Sequence, residues 1–72
     1  MATIVGHNIR RIRKQSSYSQ ARLAQLAGIS QPWICRIETG DEDPTLASVA
    51  RIARALRVEV AELFRDPAER AA

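Results

Sequence analysis

The sequence predicts an all-α fold of five short helices. Its apolar residues recur every three or four positions, the period of an amphipathic helix, and no segment alternates in the manner of a strand. Ser19, Ser30 and Thr45 precede apolar runs, where their hydroxyls can cap a helix. Gly28 and Gly40 follow such runs, where a left-handed residue ends a helix at little cost. A chain of 72 residues accommodates these helices as one small domain.

These capping residues and glycines define the boundaries of the predicted helices. The predicted helices are Ile4–Gln15, Gln20–Ala27, Gln31–Thr39, a fourth that begins after Thr45, and a short fifth at Val60–Arg65. Leu23 and Leu26 of the second helix, and Leu46 of the fourth, are assigned to the apolar core. Residues 4–65 form the predicted core of the single domain, and the polar, alanine-rich tail at 66–72 is predicted to fray.

Composition argues against several classes of function. One cysteine, Cys35, and one histidine, His7, allow neither an internal disulfide nor a Cys/His zinc site, and no cofactor is indicated. The sequence contains neither paired carboxylates nor a glycine-rich phosphate loop, the features that would indicate an enzyme. No run reaches transmembrane length and the N-terminus does not read as a secretory signal. We therefore expect a soluble protein of the cytoplasm, associated with the nucleoid and not with a membrane.

Charge is distributed unevenly along the chain. Residues 1–40 carry six Lys or Arg against one Glu, a balance of +5, and residues 41–72 carry five Arg against seven acids, a balance of −2. The basic half contains the second and third helices, as a nucleic-acid-binding surface would require. A solvated first helix with ordinary surface arginines explains the same numbers, so charge alone does not decide between the two.

The second and third helices read as a helix-turn-helix, a unit that offers its second helix to the major groove of DNA. Gln31 and Arg36 are the candidates for direct base reading, because Gln pairs bidentately with adenine and Arg with guanine. Pro32 and Cys35 are candidates for apolar contacts with a thymine methyl. The alternatives are that Pro32 only shapes the helix start and that Cys35 is a bystander. Trp33 is predicted to pack against a neighbouring helix.

Candidate phosphate contacts lie mostly at helix starts. The unpaired amides that open the second helix, at Ser19 and Gln20, form an anion site through the helix dipole. Ser30 can cap the third helix and contact a phosphate as well. Further candidates, with less defined directions, are Arg10, Arg11, Lys14 and Arg22, since basic side chains in the half of the chain that contains the helix-turn-helix can neutralise phosphates.

These residues resemble the phage repressor and Cro-like helix-turn-helix family, also called the XRE family, over residues 4–64. The matching residues are Ile9, Ile12 and Arg13; Ser19-Gln20 and Leu23-Ala24; Gly28-Ile29-Ser30-Gln31; Ile34, Arg36, Ile37, Glu38 and Gly40; and Pro44-Thr45-Leu46 with the following Ile52–Leu56 and Glu62-Leu63-Phe64.

The resemblance implies a compact lambda-repressor-like domain that acts as a transcriptional regulator, generally as a homodimer on an inverted repeat in double-stranded DNA. It implies a phosphate contact for Gln20 and base reading for Gln31. It also implies an internal ion pair between Arg13 and Glu38, which joins the first and third helices.

The chain departs from the family pattern at several turns. The loop after Gly40 is often basic in the family, whereas here Asp41–Asp43 is a run of three acids. That loop either turns away from DNA, weakens DNA binding, or serves a protein partner. Ser17 and Arg57 stand where the family often has glycine, so both turns are predicted to carry strain. Glu59 replaces the usual Ser or Thr cap of the fifth helix.

Our interpretation is a sequence-specific DNA-binding transcriptional regulator, most consistent with a repressor, whose residues 31–39 read the major groove. The alternative is a small antitoxin-like or regulatory module that uses the same fold to bind another protein, which the acidic loop favours. We expect a homodimer, because the chain end offers more apolar surface than one short helix needs. The residues that form this surface are Val58, Val60, Leu63 and Phe64.

Overall fold

The computed structural model describes residues 3–68, and within this range the chain forms five α-helices and no strand. The helices are Ile4–Gln15 (α1), Gln20–Ala27 (α2), Gln31–Thr39 (α3), Leu46–Leu56 (α4) and Val60–Phe64 (α5). The predicted all-α fold is therefore confirmed, and α5 ends one residue before the predicted boundary. Residues 69–72 of the tail that was predicted to fray lie outside the described range. No helix within it is long and apolar enough to cross a membrane.

Local capping explains where the helices begin. The Ser19 Oγ accepts from the Arg22 amide at 3.0 Å, the Ser30 Oγ from the Trp33 amide at 3.3 Å, and the Thr45 Oγ1 from the Ser48 amide at 3.1 Å. Thr3 caps α1 in the same way. Glu59 precedes α5 without a side-chain cap bond, as its sequence predicted.

The core lies where α1 and α4 enclose the helix-turn-helix. Helix α2 packs against α3 and α4, and α1 packs against α3 and α5. The largest fully buried apolar residues of the core are Ile9, Leu23, Ile34, Ile37, Val49, Ile52 and Leu63. Each helix thus contributes its apolar stripe to one common cluster.

Two leucines assigned to the core are instead exposed. Leu26 is 42 % exposed, because it lies about 100° around α2 from the centre of the buried face formed by Leu23, Ala24 and Ala27. Leu46 is 73 % exposed. It is the first residue of α4, and side chains lean towards a helix N-terminus, so it projects past the packed part of the helix. Both assignments were wrong because periodicity does not show where a packing partner ends.

The backbones of α1 and α3 approach closely at Gly6. A Cβ built on Gly6 would overlap the backbone carbonyl oxygen of Ile37 and would also lie 3.1 Å from the Thr3 Oγ1. Gly6 has helical geometry and needs no special φ, so its small size is what the position requires. It therefore permits the close packing of α1 against α3.

Asn8 joins α1 to the end of α5. Its side chain is fully buried, and its Nδ2 donates to the carbonyl oxygens of Leu63 at 3.0 Å and Arg65 at 2.8 Å. The last carbonyls of a helix have no partner within that helix, and Asn8 supplies one from another element. A five-residue helix, too short to be stable alone, is thereby held in place.

The two turns predicted to be strained do adopt left-handed geometry. Ser17 has φ 60° and Arg57 has φ 59°, and these are the non-glycine residues with positive φ within residues 3–68. Only glycine visits this region without steric cost, since a Cβ approaches the following carbonyl. The prediction of strain at these turns is confirmed, and relieving the strain at either turn is expected to increase stability.

We expect Ser17→Gly to raise the free energy of unfolding by about 0.5–1 kcal/mol, because the gain from relieving left-handed strain exceeds the added entropy of the unfolded chain. Chemical denaturation followed by circular dichroism measures the change. Ser16→Gly is the matched control, since Ser16 has φ −85° and gains nothing from glycine. Equal effects at the two positions would contradict the strain argument.

Candidate nucleic-acid interface

Helix α3 presents one polar face to solvent. At about 100° per residue, its exposed residues span an arc of about 140°. They are Gln31, Pro32, Cys35, Arg36 and Thr39. Ile34, Ile37 and Glu38 are buried on the opposite side, and Trp33 packs partly against the core, as predicted. The four residues proposed to read bases therefore share one accessible face.

The start of α3 is rigidly defined by the turn before it. Gly28 adopts the left-handed conformation with φ 70°, and its amide donates to the carbonyl of Ala24. Ser30 then caps α3, and Pro32 lies in its first turn, where a missing N–H is tolerated. The Gln31 side chain thus projects from the first turn of a fixed helix.

A buried ion pair holds α3 against α1. The Arg13 Nε donates to the Glu38 Oε2 at 2.7 Å, and the Arg13 Nη2 donates to the Glu38 Oε1 at 3.0 Å. Side-chain exposure is 10 % for Arg13 and 2 % for Glu38. Bidentate pairing of this kind fixes orientation as well as distance, because the planar guanidinium matches the carboxylate.

Further hydrogen bonds connect the side chains of this ion pair to the start of α2. The Arg13 Nη1 donates to the Tyr18 carbonyl at 2.8 Å, and the Gln20 Nε2 donates to the Glu38 Oε1 at 3.0 Å. Glu38 thereby accepts from two helices, and Gln20 is oriented by one of its two amide hydrogens. Its second amide hydrogen stays available for an outside acceptor. The Gln20 and Ala21 amides at the start of α2 have no carbonyl partner within the helix, whereas the Arg22 and Leu23 amides are bonded to Ser19.

A groove of about 420 Å³ opens beside this network. It is lined by Arg10, Arg13, Gln20, Glu38 and Thr39. The exposed Arg10 lies about 60° around α1 from Arg13, which places its guanidinium on the side of α1 that faces α3. Sequence reasoning included Arg10 among the candidate phosphate contacts but did not define its direction. Its spacing of three from Arg13 was the signal that could have indicated one.

Arg11 is not brought to this site. It lies about 160° around α1 from Arg13, and its Nη2 contacts the Asn8 Oδ1 at 3.5 Å on the side that faces α5. Arg22 is exposed on α2, where its Nη1 donates to the Gln25 Oε1 at 3.0 Å. The candidate phosphate contacts are thus separated: Ser19, Gln20, Arg22 and Ser30 belong to the helix-turn-helix, whereas Arg11 belongs to another surface.

The acidic loop begins at the far end of α3. The Asp41 amide donates to the Arg36 carbonyl at 2.9 Å, and the Thr39 Oγ1 donates to the Asp41 Oδ2 at 3.1 Å. Asp41–Asp43 are all exposed. Helix α3 has nine residues, so this loop lies about 12 Å along the helix from Gln31. The acids therefore border the polar face of α3 at its end and do not interrupt its first turn.

A capped pair of helices, with the second exposing a polar face beside a basic groove, defines a helix-turn-helix DNA-binding domain. A family profile described as "Helix-turn-helix domain" matches residues 4–65. The chain is 32 % identical over 63 residues to the HTH-type transcriptional regulator y4dJ of Sinorhizobium fredii, covering 88 % of this chain and 82 % of that protein. The chain belongs to the phage repressor and Cro-like helix-turn-helix family, and it is a DNA-binding transcriptional regulator.

Two further similarities bear on this class. The immunity repressor of Bacillus phage phi105 is 32 % identical over 59 residues, which are 82 % of this chain and 41 % of the repressor. The chain therefore spans less than half of that relative. The biofilm regulator SinR, solved in complex with DNA, superposes with a TM-score of 0.81 at 27 % identity, covering 85 % of this chain and 98 % of the SinR chain.

We expect Glu38→Gln to lower the free energy of unfolding by about 3 kcal/mol, because it leaves the buried Arg13 charge without a counter-ion. Thermal and chemical denaturation measure the loss. Arg65→Gln is the control, because Arg65 pairs with Glu62 at 2.8 Å on the surface and such pairs contribute less than about 1 kcal/mol. A loss for Glu38→Gln no larger than for the control would refute a structural role of the buried pair.

Proposed function

We propose that this protein is a sequence-specific repressor that inserts α3 into the major groove of double-stranded DNA. The observation that supports this most directly is the exposed face of α3, which joins an amide and a guanidinium beside a basic groove. A helix fits the major groove, where each base pair presents a distinct pattern of donors and acceptors. The immunity repressor among the relatives favours repression over activation.

Gln31 and Arg36 are the proposed base readers. Gln31 lies in the first turn of α3, the part of a recognition helix that contacts base edges, and its amide suits adenine. Arg36 lies more than one turn further along the same exposed face and suits guanine. Pro32 and Cys35 lie between them on this face, where they can contact thymine methyl groups.

Phosphate contacts are proposed for the helix-turn-helix and its flanking groove. The start of α2, with Ser19 and Gln20, offers amides without a carbonyl partner within the helix and a side-chain N–H that Glu38 orients. Ser30 and Arg22 lie on the same unit, and Arg10 joins this set on account of its place in the groove. Such contacts fix the register of α3 on the duplex and carry no sequence information themselves.

A homodimer is proposed through α5 and the turn before it. Phe64 is 52 % exposed, and Val58 and Val60 are half-buried. Leu63 was expected to contribute, but it is fully buried in the core and holds α5 to its own chain. Two copies related by a two-fold axis would place their α3 helices on half-sites about one DNA turn apart, which is read as an inverted repeat.

Selection from a randomised duplex library at physiological salt tests this function. We expect the retained sequences to share an inverted repeat, because two identical recognition helices related by a two-fold axis read two half-sites related by the same two-fold axis. A single short motif without symmetry would refute the dimer. Retention without any enriched sequence would refute specific reading and favour the protein-binding alternative.

Gln31→Ala is expected to reduce discrimination at one base pair of each half-site by about 1–3 kcal/mol while leaving binding to random DNA nearly unchanged. Fluorescence anisotropy with the selected operator and single-base variants measures this. Gln15→Ala is the matched control, because Gln15 is exposed at the end of α1, away from α3. A uniform loss across all sequences would instead make Gln31 a positioning contact.

A further inference from the structure

A second basic groove lies between α2 and α4, outside the proposed DNA contacts. Its volume is about 350 Å³. Its side walls carry Arg51, Arg54 and Arg57, and Tyr18, Leu26 and Ala55 provide its apolar part. Arg51 lies near the turn residue Gly28, at the opposite end of α2 from Ser19. The groove is therefore a separate surface and not an extension of the phosphate contacts.

The arginines of this groove have no partners within residues 3–68. The side chains of Arg51, Arg54 and Arg57 make neither a hydrogen bond nor an ion pair there, in contrast to those of Arg13 and Arg65. Arg51 and Arg54 are three residues apart on α4, where like charges repel by a few tenths of a kcal/mol per pair, and Arg57 follows at the left-handed end of the helix. Internal stability does not account for this cluster, so it fits an anionic partner from outside.

The apolar residues that line the groove are partly accessible. Leu26 is 42 % exposed there, and Tyr18 and Ala55 are half-buried. Guanidinium groups around an accessible leucine favour a ligand that combines carboxylates with an apolar side chain, and a simple inorganic anion would leave the leucine uncovered. An acidic protein segment that includes an exposed leucine meets this requirement.

The chain itself contains such a segment. Asp41–Asp43 are exposed acids, and Glu42 and Asp43 have no side-chain partner within the described range. Leu46 follows three residues later and is 73 % exposed. The segment 41–46 thus carries three carboxylates and one accessible leucine, which match the charge and the apolar part of the groove.

We propose that the acidic segment 41–46 of one copy docks into the arginine groove of a second copy. The segment does not occupy the groove of its own chain, because none of residues 41–46 lines that groove, and Arg54 lies about 12 Å along α4 from Leu46. The contact joins two different patches, so each associated pair still has one free groove and one free segment. Further copies can therefore add, and on DNA, given the proposed function, this would couple neighbouring bound copies.

Sedimentation velocity without DNA tests the contact. We expect assemblies that grow with protein concentration at low salt and dissociate at about 1 M NaCl, where the Debye length is about 3 Å. An α5 interface is apolar and would persist at high salt, so the two modes of association are distinguishable. Assembly that is independent of salt would overturn the proposal.

Charge exchange identifies the patches. Arg54→Glu and Asp43→Arg should each weaken the salt-sensitive association about tenfold or more, since attraction becomes repulsion in a desolvated contact. The double variant restores opposite charges and should associate more strongly than either single variant. Lys14→Glu is the matched control, because it makes the same charge change on an exposed site of α1.

Equal effects of Arg54→Glu and Lys14→Glu would overturn the proposal, because net charge alone would then explain the change. A double variant no stronger than the single variants would overturn it as well. Circular dichroism confirms the fold of each variant. Binding of the wild-type protein to an isolated half-site, measured separately, tests the proposed DNA function, so a failure there leaves the result on self-association independent.

Discussion

The buried pair of Arg13 and Glu38 is the interaction on which the arrangement of the helix-turn-helix depends. It joins α1 to α3, and its remaining hydrogen-bonding capacity reaches the Tyr18 carbonyl and the Gln20 side chain at the start of α2. Burying two charges is costly, and in proteins generally an apolar pair of similar volume often stabilises a core as well or better. The further effect of the ion pair is on the orientation of α3. Its bidentate geometry fixes the angle at which α3 leaves the core, and therefore which residues of α3 face outward.

Helix α1 is the common support of these contacts. Gly6 allows the α3 backbone to approach α1, Arg13 forms the ion pair with Glu38, and Asn8 donates hydrogen bonds to the end of α5. Gly6 and Arg13, seven residues apart, share the face of α1 that packs against α3, whereas Asn8 lies on the face that packs against α5. The position of α5, on which the proposed dimer depends, is thus coupled through α1 to the position of α3. A change in α1 is therefore expected to affect both the reading face and the separation of the two half-site helices.

Much of the fold could be predicted from the sequence, because its signals are local. Caps at Ser19, Ser30 and Thr45 and a left-handed Gly28 define helix boundaries within a few residues of themselves. The errors occur where the answer depends on distant parts of the chain. Periodicity placed Leu26 and Leu46 in the core, and only the positions of neighbouring helices show that nothing covers them. Asn8 and Gly6 carried no local signal at all, since their roles depend on carbonyls more than 25 residues away.

The distribution of charge along the sequence likewise differs from its distribution in the folded structure. The first 40 residues are basic, yet Arg11 turns towards α5 while Arg10 and Arg13 line the groove beside α3. The remaining residues are acidic in sum, yet three of their five arginines line one groove beside α4, and three of their seven acids lie in the loop that precedes it. A helix makes this separation possible, because residues three apart share a face whatever lies between them. The acidic loop is thus not simply a defect in a DNA-binding surface. It is one of two opposite charge patches at different places along α4, and an arrangement of this kind suits contact between copies.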